Sequence, residues 1–323
     1  MNRREFLKTT GLATAGIGLA GLAEPTPASA SGSCLWGAYA GPRSRSQTLQ
    51  EAITGLELKI GRRLGITRHY VNWEAKLPTK LDVWTVQHGH SPYISWHTEA
   101  TGGGGVTFSS IAHGQHDRAI KDQAHRLRRW GRHVYFSFNH EPENDRWAGG
   151  PAEFKAAWYH MRRLFHEVGA NNITWIVVLM ASTYAGGHGG PKRWLPDHYD
   201  LLGVDGYNRY PCLDNRSKHP WVSFRTLFNP AYRLAQEKSK GLFIGEYATV
   251  EQDSCGNTGG DPRAKAEWIA DASATIRSWP QVKAALYSHT EAHFEGYREG
   301  YWVDSSNASL QAFKSAGQLP YFR

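Results

Sequence analysis

The sequence predicts an α/β fold, namely a single (β/α)8 TIM barrel, and two observations favour it. Eight short apolar runs that end in polar or aromatic residues alternate with Gly- or Pro-rich loops and stretches of helical periodicity. Removing a predicted leader of 30 residues from the 323-residue chain leaves 293, which fits eight strand and helix units in one barrel. An open doubly wound sheet is the alternative, but Gly41-Pro42-Arg43 after the first strand lacks its Gly-rich phosphate-binding pattern.

The eight predicted strands are short apolar runs that offer no solvated face, as expected where helices cover a parallel sheet. They are residues 35–40, 66–71, 93–96, 133–138, 173–180, 201–205, 242–245 and 282–287. Helical periodicity is clearest in residues 112–130, 151–168, 223–238, 262–279 and 306–316. Several of these helices begin at Pro and end at Gly, the residues that helix termini favour. In such a barrel the active site lies where the carboxyl ends of the strands meet.

Residues 1–30 are predicted to be a twin-arginine signal peptide rather than part of the fold. Arg3-Arg4 precedes Glu5, Phe6, Leu7 and Lys8, a weakly apolar segment follows, and Ala28-Ser29-Ala30 supplies small residues for cleavage. The predicted barrel domain then spans residues 31–323. We therefore expect a secreted protein with no membrane anchor, because no later apolar run reaches the roughly 18 residues that a membrane span needs.

The formal net charge of +8 does not by itself indicate nucleic-acid binding. The densest basic cluster, residues 125–132, lies at the end of a predicted helix, where cations favourably meet the negative end of the helix dipole. A solvated helix end explains this cluster without a bound polyanion. We expect no nucleic-acid partner, and we expect a monomer.

The cysteines and histidines do not indicate a metal site. Cys34, Cys212 and Cys255 show no paired spacing, and close histidine pairs are expected by chance among 16 histidines. We therefore expect no metal and no cofactor. Cys212 and Cys255 follow the sixth and seventh strands, and export permits oxidation, so we expect a disulfide between them and a free Cys34.

Two glutamates follow predicted strands on nearly opposite sides of the barrel mouth. Glu141 comes directly after the fourth strand, and Glu246 follows the apolar part of the seventh. Paired carboxylates are what glycoside hydrolysis requires, since one protonates the leaving oxygen while the other attacks or activates water. A pair of salt-bridged rim carboxylates is the structural alternative. The spacing favours Glu141 and Glu246 as catalytic residues.

Beyond this pair, a series of motifs runs along nearly the whole mature chain. They are Trp36-Gly37-Ala38-Tyr39, His140-Glu141 with Asn144 and Trp147, Ala157-Trp158, residues 169–175, Asp200 with residues 204–208, Gly245-Glu246-Tyr247, residues 282–284, and Trp302-Val303-Asp304 leading into Ser309-Leu310. In their order and spacing, these motifs resemble glycoside hydrolase family 26, the β-mannanases and related retaining endo-β-glycanases. The resemblance implies Glu141 as general acid/base and Glu246 as nucleophile. It also implies that His140 supports the acid/base and that Tyr207 donates a hydrogen bond to the nucleophile.

Aromatic and histidine side chains near the strand ends are the predicted substrate-binding residues. This set comprises His140, Tyr207, Trp96, His97, Trp147 and Tyr39. Aromatic rings at such positions stack on the apolar faces of sugars, and Trp73 and Trp302 are further candidates. Each of these aromatic residues is equally consistent with a core position.

The sequence also departs from the pattern of the family. Glu143 alters the loop after the acid/base, and the eighth strand ends in Ser288-His289 without a sugar-platform tryptophan, a role that His289 or Trp302 is left to fill. Glu291, Glu295 and Glu299 have no counterpart. The leading prediction is therefore a secreted endo-β-1,4-mannanase-like enzyme acting on polysaccharide. Mixed-linkage β-glucan or xylan are alternative substrates, and a non-catalytic secreted carbohydrate-binding or envelope protein is the alternative class.

Overall fold

The computed structural model describes residues 33–209, 213–214, 217–218, 220–251, 263–294 and 297–323. The predicted leader, Cys212 and Cys255 lie outside these residues. Cys34 is buried and its thiol is free, as predicted. Among the helices of the described ranges, none combines the length and the apolar character that crossing a membrane requires.

Eight parallel strands close into a barrel, which confirms the predicted fold. They are β1 (Leu35–Ala40), β2 (Ile66–Val71), β3 (Ser91–Trp96), β4 (Val134–Phe138), β5 (Ile173–Met180), β6 (Leu201–Asn208), β9 (Gly241–Thr249) and β10 (Val282–His289). Their order around the barrel is β1-β10-β9-β6-β5-β4-β3-β2, with β2 pairing back onto β1. Two small antiparallel ribbons stand apart from the barrel: β7 (Leu213–Asp214) with β8 (Ser217–Lys218), and β11 (Glu291–Phe294) with β12 (Tyr297–Gly300).

Helices follow most barrel strands and cover the outside of the barrel. They are α1 (Leu49–Ile60), α2 (Lys80–Gln87), α3 (Phe108–Ala112), α4 (Asp117–Trp130), α5 (Pro151–Val168), α6 (Ala181–Tyr184), α7 (Pro191–Trp194), α8 (Phe224–Glu237), α9 (Arg263–Ser278) and α10 (Asn307–Gly317). The helix predicted over residues 112–130 is wrong at its start. α3 ends at Ala112, and Gly114 adopts a left-handed φ of 78°, which separates α3 from α4.

Side-chain alternation along the strands divides the core into two layers. Ile66, Tyr93, Ile176, Val178, Phe243, Ala284 and Leu286 fill the inside of the barrel. A larger cluster, which includes Ile94, Trp96, Phe136 and Phe138, lies between the barrel and the helices. Successive side chains of a strand point to opposite faces, so the inward-facing residues of one strand all have odd or all have even numbers. This parity decides which side chains reach the mouth of the barrel.

Strands β6, β9 and β10 extend beyond their predicted ends. The prediction ended β6 at residue 205, whereas the strand continues through Asn208. Tyr207 therefore lies within a strand instead of a loop. Asp205 and Tyr207 share the parity of Leu201, which packs against the inner layer, so both side chains face the inside of the barrel.

Candidate active site

A β-bulge at Gly245 turns Glu246 into the barrel. Val204 pairs with Ile244, but the next residue, Asp205, pairs with Glu246, so Gly245 is an extra residue in β9. Phe243 faces inward, and regular alternation from it would point residue 246 outward. A Cβ on Gly245 would lie 2.5 Å from Asp205 Oδ1, which explains why glycine occupies the bulge.

Three donors hold the buried carboxylate of Glu246. The Tyr70 hydroxyl donates to Oε1 at 2.6 Å, and Arg68 Nη1 lies 2.7 Å from the same oxygen. The Tyr207 hydroxyl donates to Oε2, the contact that the family resemblance predicted. Hydrogen bonds and an adjacent cation favour the charged form of a carboxylate and restrict its rotamer. Glu246 is thus arranged as a fixed carboxylate at the base of the mouth.

Arg68 is the cation of this cluster. It is fully buried, and Nη1 lies 3.1 Å from Asp205 Oδ2 in addition to its contact with Glu246. Burial by itself lowers the pKa of Arg68, but the charges of Asp205 and Glu246 hold it well above its ordinary value. The rings of Tyr70 and Tyr93 lie 4.6 and 4.9 Å from the guanidinium carbon. Arg68 therefore neutralises charge between two buried carboxyl groups.

One cluster in the site has the spacing of a set of metal ligands. The candidate ligand atoms of its three residues, His140, Asp205 and Glu246, lie within 4.8 Å of one another. Arg68 Nη1 already contacts both carboxyl groups of this set. The positive charge that a metal ion would bring is thus supplied by the chain itself. Burial and the charge of Glu246 raise the pKa of Asp205 well above its ordinary range, against the lowering effect of Arg68.

A strained loop presents Glu141 after β4. Asn139 and Glu141 both have positive φ angles, 47° and 50°. The Asn139 side chain accepts hydrogen bonds from the Thr98 amide and hydroxyl, and it donates to Asp145 Oδ2 at 2.6 Å. The Glu141 amide donates to the Val178 carbonyl at 3.0 Å. These bonds hold the turn, so that Glu141 points into the mouth.

The surroundings of Glu141 disfavour the charged form of its carboxyl group. Burial raises the pKa of its carboxyl group well above the ordinary range, and the negative charges of Asp205 and Glu246 raise it further. Asn144 Nδ2 donates to Oε2 at 2.9 Å, which fixes the orientation of the group. Glu141 and Glu246 therefore have different environments: Glu141 lies near negative charges that raise its pKa, whereas Glu246 accepts two hydrogen bonds from tyrosines and contacts a guanidinium.

His140 is a neutral positioning residue. Burial, together with the charges of Arg68 and His97, lowers its pKa well below the ordinary value. Its Nδ1 lies 2.8 Å from Ser95 Oγ, while Nε2 lies 3.7 Å from Glu246 Oε1, beyond hydrogen-bonding distance. His140 thus lies between the Glu141 loop and Glu246.

Both glutamates line one cavity of about 470 Å³. Its other walls come from the loops after β5, β6 and β10 and include Ser182, Arg209, Thr290 and Tyr301. A cavity of this volume is in the range that holds a small ligand or a few sugar units of a longer chain.

The structure separates the predicted substrate-binding aromatics. Tyr39 lies beside the site, half-buried, with its ring edge-on to Tyr70 at 4.8 Å. Trp147 is 46% exposed at the rim and is open to a ligand. Trp96 is a correction: it is fully buried and stacks on Trp73 at 4.5 Å, because its parity on β3 points it outward into the helix layer.

His97 and Glu143 pack against the loop that carries Glu141. The ring of His97 packs edge-on against His140 at 4.5 Å, and burial lowers the pKa of His97 to about 4. This position favours support of His140 over direct contact with substrate. Glu143 is buried and accepts hydrogen bonds from the Met180 amide and the Thr183 hydroxyl, each at 2.7 Å. The residue that departs from the family pattern therefore ties this loop to the end of β5.

Sequence reasoning missed Arg68 and Tyr70. Both lie on β2 with the parity of Ile66, an inward-facing core residue. An arginine inside an otherwise buried strand was the available signal, because a buried charge needs a partner of opposite sign.

Comparisons with solved structures show the same fold. The chain is similar to a modular endo-β-1,4-mannanase from Cellulomonas fimi, described as a glycoside hydrolase family 26 mannanase (TM-score 0.60, 15% identity, 91% of this chain and 72% of that one). It is also similar to the catalytic domain of a GH26 endo-β-1,4-mannanase from Bacillus sp. JAMB-750 (0.58, 15%, 90% and 87%) and to a GH5-4 broad-specificity endoglucanase from an uncultured bacterium (0.55, 11%, 90% and 95%). No protein-family model and no curated protein matches the chain.

Proposed function

We propose that the protein is an exported, retaining glycoside hydrolase of the family 26 type that cleaves β-linked polysaccharide. The observation that carries this proposal is the contrast between two glutamates in one cavity. Glu141 has a raised pKa, while Glu246 is held by Arg68, Tyr70 and Tyr207. A non-catalytic binding protein would need aromatic rings and hydrogen bonds but no such pair, so the pair favours the enzyme.

The proposed reaction has two displacements. Glu141 donates its proton to the glycosidic oxygen as that bond breaks, and a carboxylate oxygen of Glu246 bonds to the anomeric carbon. Glu141, now ionised, then takes a proton from water as the water oxygen attacks the anomeric carbon and displaces Glu246. Esterification removes the negative charge of Glu246, one of the charges that raise the pKa of Glu141, and this lets Glu141 change from acid to base.

β-1,4-Mannan is the leading substrate. The proposal draws on the endo-β-1,4-mannanases among the structural neighbours and on the family resemblance of the sequence. A broad-specificity endoglucanase shares the fold, so mixed-linkage β-glucan and xylan remain in the substrate panel. The exported state rests on the leader pattern in residues 1–30, and we propose action as a monomer on extracellular polysaccharide. Product sizing on the panel tests the substrate and the mode of attack.

The first products should retain the anomeric configuration. Retaining enzymes hold their carboxyl groups about 5 Å apart, which leaves no space for a water between sugar and base. Proton NMR of the first product from a β-linked substrate, recorded before mutarotation, is therefore expected to show the β anomer. An α anomer would indicate inversion and would contradict the role given to Glu246.

Activity should fall on the alkaline side as Glu141 loses its proton. The raised pKa of Glu141 places this limb of the kcat/KM profile above the pH at which an ordinary glutamate ionises. Wild-type enzyme acting on polysaccharide should show this alkaline limb. The Glu141→Ala variant, measured with an aryl β-glycoside whose leaving group needs no proton, should show a kcat/KM profile without it. An unchanged limb in the variant would assign the acid to another group.

A further inference from the structure

A second cavity, of about 410 Å³, adjoins the catalytic cavity. It lies at the carboxyl ends of β1 and β10, and its lining includes Arg43, Arg45, Glu291 and Trp302. Thr290 lines both cavities and forms the wall between them. A substrate long enough to leave the catalytic cavity across Thr290 enters the second cavity.

The loop after β1 is packed closely against this shared wall. The Gly41 amide donates to the His289 carbonyl at 2.8 Å, and a Cβ on Gly41 would lie 2.4 Å from Thr290 Oγ1. The chain therefore passes Thr290 at a distance that only glycine allows. This contact sets where the following residues, Arg43 and Arg45, stand relative to the catalytic cavity.

Arg43 covers the ring that would otherwise serve as a sugar platform. Its guanidinium carbon lies 4.1 Å from the centroid of the Trp302 ring, and it forms an ion pair with Asp304. His289, the other candidate platform, is buried, and its Nδ1 accepts a hydrogen bond from the Val303 amide at 3.0 Å. Where a neutral sugar would need an aromatic face, this cavity presents a positioned cation.

The cavity has more positive charge than its carboxylates balance. Asp304 is shared between Arg43 and Lys59. Arg45 is exposed and forms no ion pair within the part of the chain that the structure describes. Glu291 also lines the cavity, but it has an interaction of its own. Arg45 is thus available to a ligand, beside a guanidinium that is already fixed in place.

The position around the barrel identifies which part of the substrate reaches this cavity. β10 lies four strands from β4 in the ring of eight, directly across the mouth from Glu141. The general acid protonates the leaving oxygen, so the leaving part of the substrate extends toward Glu141. The glycone part then extends toward β10 and β1, over Thr290.

We propose that Arg43 and Arg45 form a subsite for the carboxylate of an acidic sugar in the glycone part of the substrate. Guanidinium groups recognise carboxylates through paired, charge-assisted hydrogen bonds. The proposal rests on the proposed glycosidase function and adds to it a preference for β-linked chains that carry carboxylates near the cleavage point.

The test uses one polymer in two charge states. β-1,4-Mannan is compared with the same mannan after partial oxidation of its C6 hydroxymethyl groups to carboxylates. Wild-type enzyme is expected to show a higher kcat/KM on the oxidised polymer. Arg45→Gln should reduce the ratio of the two kcat/KM values by about fivefold, the upper range for an exposed charge pair, and 0.5 M NaCl should reduce it in wild type.

Arg129→Gln is the matched control, because it removes an exposed cation from α4, outside the mouth. An equal loss of the ratio in Arg129→Gln would attribute the preference to net charge and overturn the subsite. A wild-type preference for the neutral polymer would overturn it as well. Affinity electrophoresis with the Glu246→Ala variant measures binding without turnover. Preferential binding of the oxidised polymer without hydrolysis by wild type would support the subsite and contradict the proposed activity.

Discussion

Replacing Glu246 with alanine is expected to lower kcat on every substrate by on the order of 10⁴-fold or more, as happens when a covalent nucleophile is removed. No other described carboxylate has the same position. Asp205 Oδ2 lies 3.1 Å from Arg68 Nη1, and this contact holds the carboxyl group away from the position that Glu246 occupies. The measurement is kcat on polysaccharide and on an activated aryl β-glycoside. A Glu246→Ala variant with more than about a hundredth of wild-type activity would refute the assignment.

Glu141→Ala provides the contrast, because it should fail in a different way. Loss of general acid catalysis costs about 10² to 10⁴ on polysaccharide, whereas an aryl glycoside with a good leaving group should keep a faster glycosylation step. Glu237→Ala, the same change on the exposed face of α8, controls for the loss of a carboxylate. Equal losses on both substrates would argue that Glu141 positions the substrate instead of protonating it.

Arg68→Met is expected to lower the free energy of unfolding by about 3 to 5 kcal/mol, because it leaves two buried carboxyl groups without their shared cation. Asp205 and Glu246 both contact Nη1 of Arg68, at 3.1 and 2.7 Å. Urea unfolding at neutral pH measures the loss. Polysaccharide activity should fall too, since Arg68 is one of the three groups that hold Glu246.

The double variant Arg68→Met/Asp205→Asn separates charge from packing. If the loss comes from uncompensated charge, removing Asp205 as well should recover part of the stability that Arg68→Met loses. If the two changes simply add, the guanidinium contributes through packing against Tyr70 and Tyr93, and our electrostatic account is wrong. Arg68→Lys keeps the positive charge on a single donor group. Its free energy of unfolding should lie between those of the wild type and Arg68→Met.

The sequence predicted the barrel well because strands buried on both faces are apolar throughout, and such runs are visible without any alignment. The same pattern predicted that Glu141 and Glu246 share the barrel mouth, although Glu246 lies within β9 and not at its end. Trp96 was misplaced because its parity on β3 could not be assigned before the inner face of that strand was known. Arg68 was missed for a related reason, since its partners come from β6 and β9 and are distant in sequence.

Helix boundaries are a second feature that the sequence pattern predicts poorly. The apolar periodicity of residues 112–130 is real, but His113 to His116 form a turn around Gly114, and periodicity alone does not reveal a backbone that reverses locally. The close approach of Gly41 to Thr290 is likewise not predictable from the sequence. Glycine marks a position where something is near, while the sequence does not say what.

The extra residue in β9 makes the direction of the Glu246 side chain depend on the number of residues in the strand. Deleting Gly245 would leave every catalytic side chain in the protein, yet it would restore even alternation and rotate Glu246 out of the mouth into the helix layer. The candidate site therefore depends on the number of residues in β9, because removing one residue reverses the face to which every later side chain of the strand points. Anyone transplanting this pair of glutamates into another barrel must carry the additional glycine along with them.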